Sequence, residues 1–189
     1  MNKRLLVAAF VLCAPAAQAI EYQPAMQSFL DGQILPWAQD AVLVQAITAQ
    51  NLAHAGLDAA RIDAMDQTWR AEVGSGHTPT IDAVLMNAAA DFLRARVAET
   101  GGRITEVFIM DNHGLNVAAS DVTSDYWQGD EDKFQKTYDL GAGAVHFSEV
   151  EFDESSQTYQ AQISITLTDP ATGQPIGAMT VGIDAESLM

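Results

Sequence analysis

Hydrophobic spacing divides the chain into a helical first half and a strand-rich second half. From Pro24 to about His54, apolar and alanine positions, among them Ile34, Trp37, Ala41, Val44 and Leu52, recur at helical spacing, with a kink expected at Pro36. Gly56 ends this element. Asp58 is placed as the N-cap of a second helix, in which Ile62, Met65 and Trp69 form the stripe and Asp66 and Arg70 an exposed ion pair one turn apart. Gly74-Ser75-Gly76 interrupts it. A third helix is expected from Thr78 as cap and Pro79 as first residue, carrying Ile81, Val84, Leu85, Ala88 and Phe92, until Gly101-Gly102 stops it.

After residue 103 the period changes from about 3.6 to 2. Ile104–Met110 runs into the turn Asp111-Asn112-His113-Gly114, and Leu115, Val117 and Ala119 resume the alternation, which predicts a hairpin. Asp111 is read as a turn-forming side chain. A polar connection follows with the adjacent aromatics Tyr126 and Trp127. Next come a short helix over Asp130–Tyr138 and a strand over Val145–Phe152. In that strand the apolar positions change parity, at 145 and 147 and then at 150 and 152, which places a bulge near Ser148-Glu149. Asp153–Ser156 is a turn. Tyr159, Ala161, Ile163, Ile165 and Leu167 then alternate with Gln160, Gln162, Ser164 and Thr166, the pattern of a strand with one buried face. Ile176–Ile183 is the last strand. These five strands with short connections predict an antiparallel sheet in an α+β domain.

Residues 1–19 read as a secretory signal peptide. Asn2-Lys3-Arg4 is the basic start, Leu5–Leu12 the apolar core, and Ala17-Gln18-Ala19 the cleavage site. The apolar stretch is shorter than the roughly 20 residues that span a bilayer, and Cys13 lacks the preceding small residue of a lipid-attachment site. The remainder, 20–189, is then one periplasmic domain, with 20–103 its helical part and 104–189 its sheet. Without Cys13 it holds no thiol, so its stability rests on its core.

The whole chain carries 25 acidic against nine basic residues, a net charge of −16. That balance argues against nucleic acid, whose phosphates need a basic face. The charge is also uneven, since Lys133 and Lys136 are the only basic residues from Ile104 onward. The acidic half reads either as a solvated face or as a surface for cations or a basic partner. The runs Asp130-Glu131-Asp132 and Glu149–Glu154 lack the ligand spacing and glycine of a calcium loop, so no metal or cofactor is assigned. Nucleophile elbow, phosphate loop, HExxH and dinucleotide fingerprint are all missing, and His54, His77, His113 and His146 stand singly, so catalysis is not expected.

The residues Asp111, Gly114, Ser120-Asp121, Asp125-Tyr126-Trp127-Gln128-Gly129-Asp130-Glu131, Gly141, Gly143, Asp153-Glu154-Ser155, Asp169-Pro170, Gly173, Ile176-Gly177 and Ile183-Asp184 stand in an order that resembles the Cache (PDC, PAS-like) extracytoplasmic sensor domains. The likeness covers about the last 85 residues. It implies a PAS-like sheet with the long N-terminal helices on one face and a small-ligand pocket on the other. It further implies that the segment of Asp125, Tyr126, Trp127, Glu131 and Phe134 closes over that pocket, and that Asp184 resembles the acidic position facing a ligand amine. Amino-acid-binding members carry an arginine with the aromatics here. This chain has Gln128, Asp130, Glu131 and Asp132, which turns the expected ligand toward a neutral or cationic molecule. His146 and Ser148 join the candidates if the bulge turns them inward.

The expectation is a noncatalytic small-ligand sensor acting through a membrane-bound sensor kinase or chemoreceptor, with the first helix also able to support a homodimer. The competing expectation is an acidic interaction or assembly protein, or a divalent-cation-binding domain, in which Tyr126 and Trp127 are core.

Overall fold

The structure, a computed structural model, describes residues 16–153 and 158–189. Residues 1–15 of the expected signal peptide, and Glu154–Ser156 of the expected turn, lie outside the described residues.

Among the described residues, seven α-helices and six strands follow in the order α1 (Ala16–Phe29), α2 (Leu35–Ala38), α3 (Ala41–Ala53), α4 (Ala59–Glu72), α5 (Pro79–Leu85), α6 (Ala88–Glu99), β1 (Ile104–Met110), β2 (Asn116–Ala119), α7 (Asp132–Gln135), β3 (Val145–Phe147), β4 (Glu151–Asp153), β5 (Thr158–Thr168) and β6 (Pro175–Asp184). The antiparallel sheet runs β2-β1-β6-β5-β3, with β4 also paired to β5. The last strand in sequence therefore lies in the middle of the sheet.

The long first helix is divided. A π-helical turn at Leu30–Ile34 takes up the bend just before Pro36, and the chain breaks at Gln39-Asp40, where the Asp40 carboxylate accepts from Val42 N at 3.0 Å to start α3. Pro24 lies inside α1. The expected third helix is likewise two. Asn87 ends α5 and caps α6, accepting from Ala90 N (2.9 Å) while its amide donates to Ala83 O (2.9 Å) and to Val117 O of β2 (3.2 Å). Asp58 caps α4 as expected, accepting from Arg61 N at 2.9 Å. Thr78 holds the N-cap position of α5 with Pro79 first, as expected, but its side chain makes no cap hydrogen bond. Glu72, from the end of α4, accepts from Thr80 N (2.8 Å) and Ile81 N (3.0 Å) in its place.

The sheet has six strands and not five, because Val145–Phe152 is two three-residue strands separated by Ser148–Val150. Both pair with β5, Val145 opposite Ile165 and Phe152 opposite Tyr159. Between the pairs Phe147–Ile163 and Glu151–Gln160 this side carries one residue more than β5, while Ser148 N still donates to Gln162 O (2.9 Å), so the parity change is the expected bulge, and it divides the strand in two.

Two apolar clusters sandwich the sheet. Ile104, Val107, Ile109, Ala161, Ile163, Ile165, Met179 and Val181 meet Met26, Leu30, Leu43, Ile47 and Leu93 of α1, the π turn, α3 and α6. Helices α4 and α5 depart from the expected one-sided arrangement. Their Trp69, Ile81 and Val84 join Phe108, Met110, Leu115 and Ala178 in the second cluster. The sheet is therefore covered on both sides at the β1–β2 end, and its polar β5–β3 end is left for the site.

Candidate functional site

On β5, Gln160, Gln162, Ser164 and Thr166 face away from α1, α3 and α6, as the period of two dictates. Beside them lie Thr180 of β6, Glu106 and Phe108 of β1, and His146 of β3, whose Cα partner is Ser164. At the centre the hydroxyls of Ser164 and Thr180 are buried and hydrogen-bonded to one another at 3.0 Å. This face is apolar toward β1 and β2 and polar toward β3.

The apolar part is closed by the loop carrying Tyr126 and Trp127. The Tyr126 ring is 5% exposed and stacks on Trp69, centroids 5.4 Å apart and planes 13° apart. Burial, with the Asp111 carboxylate as a smaller contribution, raises its phenol pKa. The loop backbone is gripped by Asp66 of α4, whose Oδ1 accepts from the N–H of both Tyr126 (2.9 Å) and Trp127 (3.0 Å). The other Asp66 oxygen accepts from Arg70 Nε at 2.6 Å, and the Arg70 guanidinium reaches on to Asp125 at 3.0 Å. The Asp66–Arg70 pair is accordingly not the exposed one expected, since Asp66 is 8% exposed and holds the loop.

The loop is also stitched to the β1–β2 hairpin. Leu115 and Trp127 form a bridge, Gln128 N donates to Gly114 O (2.8 Å), and Trp127 Nε1 donates to His113 O (2.9 Å). Gly114 has φ +81°, and a Cβ there would sit 2.6 Å from Gly129 Cα, so the contact needs glycine at this position. Asp111 forms the turn as expected, with Oδ1 accepting from His113 N (2.8 Å) and Leu115 N (3.0 Å). Its Oδ2 lies 2.7 Å from His54 Nδ1 and accepts from Gln50 Nε2 at 3.0 Å, fastening α3 to the turn.

A cleft of about 930 Å³ occupies the polar part. Its floor is Glu106, Gln160 and Gln162, its edge is Ser148, Glu149 and Glu151, and its roof is Glu131, Asp132, Lys133 and Lys136, the segment that continues from the aromatic loop. Both lysines are engaged. Lys133 Nζ lies 2.9 Å from Glu131 Oε2 and 3.0 Å from Gln128 Oε1, and stands over the Phe108 ring at 5.4 Å. Lys136 Nζ is 2.7 Å from Asp132, and this hydrogen bond holds the Asp132 carboxyl below the usual carboxylate range. His146 also lines the cleft. Burial, reinforced by the Lys136 charge and opposed by Asp132, lowers its pKa, so the ring is neutral near pH 7.

Of the residues expected at the site, the structure brings Glu131, His146 and Ser148 together around this cleft. Ser148 is already occupied, donating to Glu149 O (2.7 Å) and accepting from Gln162 N (2.8 Å) across the gap between β3 and β4. Phe134 lies in α7 but is buried, stacked on Tyr138 with centroids 5.0 Å apart. Tyr126, Trp127 and Asp125 do not border the cleft, because stacking on Trp69, the hydrogen bond to His113 and the tie to Arg70 turn them elsewhere. Asp184 does not border it either, its carboxylate accepting from Glu186 N (3.0 Å) at the start of the final turn. Sequence reasoning passed over Glu106, Gln160 and Gln162. The perfect alternation of β5 marks its polar face, the one opposite the helices, but does not single out which of its residues line a cleft. Asp66 had a signal as well, since it falls on the Ile62-Asp66-Trp69-Val73 stripe, an apolar line where an acid is buried and needs donors. Among the described residues, no cluster of three or more His, Cys, Asp or Glu side chains is placed to hold a metal, and no helix is long and apolar enough to cross a membrane.

No family model and no curated protein matches the sequence. Among solved structures, the chain superposes on the sensor domain of the histidine kinase DctB of V. cholerae with a TM-score of 0.50 and 14% identity, over 92% of this chain and 55% of that one. The chain therefore shares the fold of that sensor domain, in keeping with the fold its resemblance to Cache domains implies. The Campylobacter jejuni chemoreceptor Tlp3 (CcmL) sensory domain aligns at TM-score 0.42 and 15% identity, over 89% of this chain and 66% of that one. The ligand-binding domain of the Pseudomonas aeruginosa PAO1 amino acid chemoreceptor PctC, in complex with GABA, aligns at 0.41 and 11%, over 92% and 61%. The chain thus spans between 55% and 66% of the length of these three structures.

Proposed function

We propose that the chain is a periplasmic, noncatalytic sensor module that takes a neutral or cationic small molecule into the cleft between β5, β3 and the Glu131–Lys136 segment, and that signals through a membrane-bound sensor kinase or chemoreceptor. The observation that carries the reading is the composition of the cleft. Five carboxylates, Glu106, Glu131, Asp132, Glu149 and Glu151, surround it against Lys133 and Lys136, and each lysine already has an acidic partner. An anion entering would meet net negative charge and no uncommitted ammonium, whereas a cation or a neutral hydrogen-bonding molecule would be accepted. The volume lies within the range of small-ligand sites, roughly 300–1,000 Å³. The DctB sensor-domain fold supports a sensing role. The ligand sits beside the aromatic loop, whose rigid anchoring by Asp66 and Trp69 sets where the roof begins.

A thermal-shift screen of the purified domain against amines, amino acids and neutral metabolites tests this. A ligand at a hundred times its Kd stabilises the fold by about 2.7 kcal/mol, and Glu131→Gln with His146→Ala should reduce that response. A screen in which no compound moves the midpoint overturns the reading. The second reading, an acidic interaction protein without organic ligand, is favoured by one observation: Tyr126 is a core residue. A flat screen on a folded protein is the outcome it requires.

A further inference from the structure

We propose that the exposed aromatic pair Phe152–Tyr159, flanked by Glu149 and Glu151, is a docking surface for a segment of a partner protein that carries lysine or arginine next to apolar or aromatic side chains. Phe152 of β4 and Tyr159 of β5 are cross-strand partners, 48% and 56% exposed, with ring centroids 5.3 Å apart in an edge-to-face arrangement. Two adjoining aromatics left this open have their faces available, unlike Tyr126, Phe134 and Trp69 of the same chain, which are buried. Covering such a pair removes a large apolar area from water, and aromatic anchors of this kind dominate the energetics of protein interfaces.

Charge selects the occupant. Glu149 and Glu151 are exposed and line the cleft together with Phe152, Glu151 leaving β4 on the face opposite to the aromatic pair, and the only two basic residues of the chain beyond Ile104 are Lys133 and Lys136, each paired with its own carboxylate. An acidic rim beside open aromatic faces matches ammonium or guanidinium groups by ion pairing and cation–π contact. It disfavours a second copy of this chain, whose net charge is also −16. Extension of the sheet does not account for the patch, because β3 and β4 are three residues each and interrupted, an edge too short to template a long ladder. The inference shares Phe152 with the cleft but does not require a ligand there.

The probe is a fluorescein-labelled, end-blocked peptide of alternating lysine with tryptophan or leucine, seven residues long, titrated with the whole folded domain and read by anisotropy. Its glutamate counterpart is the control. The lysine peptide should bind and the glutamate peptide should not. Phe152→Ser with Tyr159→Ser should weaken binding at least tenfold with the melting midpoint near its original value. Glu149→Gln with Glu151→Gln keeps the rings and cannot compromise the core; it should weaken binding several-fold and flatten the salt dependence, while Asp63→Asn on distant α4 leaves both unchanged. Equal affinity across all variants, or an Asp63→Asn loss as large as that of the glutamate pair, overturns the proposal by showing only diffuse attraction. Sedimentation showing a homodimer dissolved by Phe152→Ser with Tyr159→Ser overturns it in favour of self-association.

Discussion

Replacing Tyr126 by alanine asks whether the aromatic loop is a movable lid or part of the core. The ring is 5% exposed, lies 13° from parallel with Trp69, and shares a cluster with Phe108, Met110 and Leu115. Truncating an aromatic at such a site costs about 3–5 kcal/mol, lost transfer energy plus the cavity left behind. In a domain of this size each kcal/mol lowers the midpoint by about 2–4 °C, so Tyr126→Ala should lower it by about 6–20 °C. Tyr126→Phe retains the stack and should stay within about 1 kcal/mol of the original. Urea denaturation followed by circular dichroism, with the slope checked for constancy, gives the free energies. A loss below about 1.5 kcal/mol for Tyr126→Ala, well under the range for buried aromatics, would refute the placement of this ring in the core and restore it to the ligand.

Three further outcomes follow from the geometry. Asp66→Asn removes the charge that two loop N–H groups and Arg70 share, and should cost about 1.5–3 kcal/mol in urea denaturation, as expected for hydrogen bonds to a charged group. Gly114→Ala should prevent the folded state from accumulating, because its Cβ would overlap Gly129, whereas Gly173→Ala, with φ +71° and open space, should cost only about 1–2 kcal/mol; expression and melting curves separate the two. Burial works against the Glu72 carboxylate, but the donors Ile81 N and Thr80 more than offset it, so its folded pKa is lowered. A lowered folded value means that this stabilisation is full above the unfolded carboxylate pKa and disappears as pH falls through the folded one. Glu72→Gln should flatten the acid limb of the midpoint-versus-pH curve and leave the rest parallel.

What could be seen in advance follows from which interactions are local. The β5 alternation, the Asp111 turn and the Asp58 cap are each set by neighbours within a few residues, and each appears as expected. The break at Asn87 was hidden because its decisive bond, to Val117 O, crosses 30 residues of chain. Asp66 was misplaced for the same reason, its donors lying 60 and 61 residues away. The likeness to sensor domains carried the fold, and it pointed to the aromatics, which the structure places away from the cleft. Nothing local in Asp125-Tyr126-Trp127 could say that Trp69, from another helix, would take up the Tyr126 face. Glu131, His146 and Ser148, expected by segment and parity, do line the cleft, and the sheet floor beneath them was not among the candidates because a polar strand face looks alike whatever covers it.

The position of β6 bears on how the molecule is made. Its backbone pairs with β1 on one side and β5 on the other, yet it follows both in the chain, β1 by some 70 residues. During synthesis β1 can meet only β2, and β5 only β3 and β4, so two separate hairpin systems await a common spine. Completion of the cluster under α1, α3 and α6, which takes Met179, Val181 and Ile183 from β6, is therefore deferred until translation has passed Asp184.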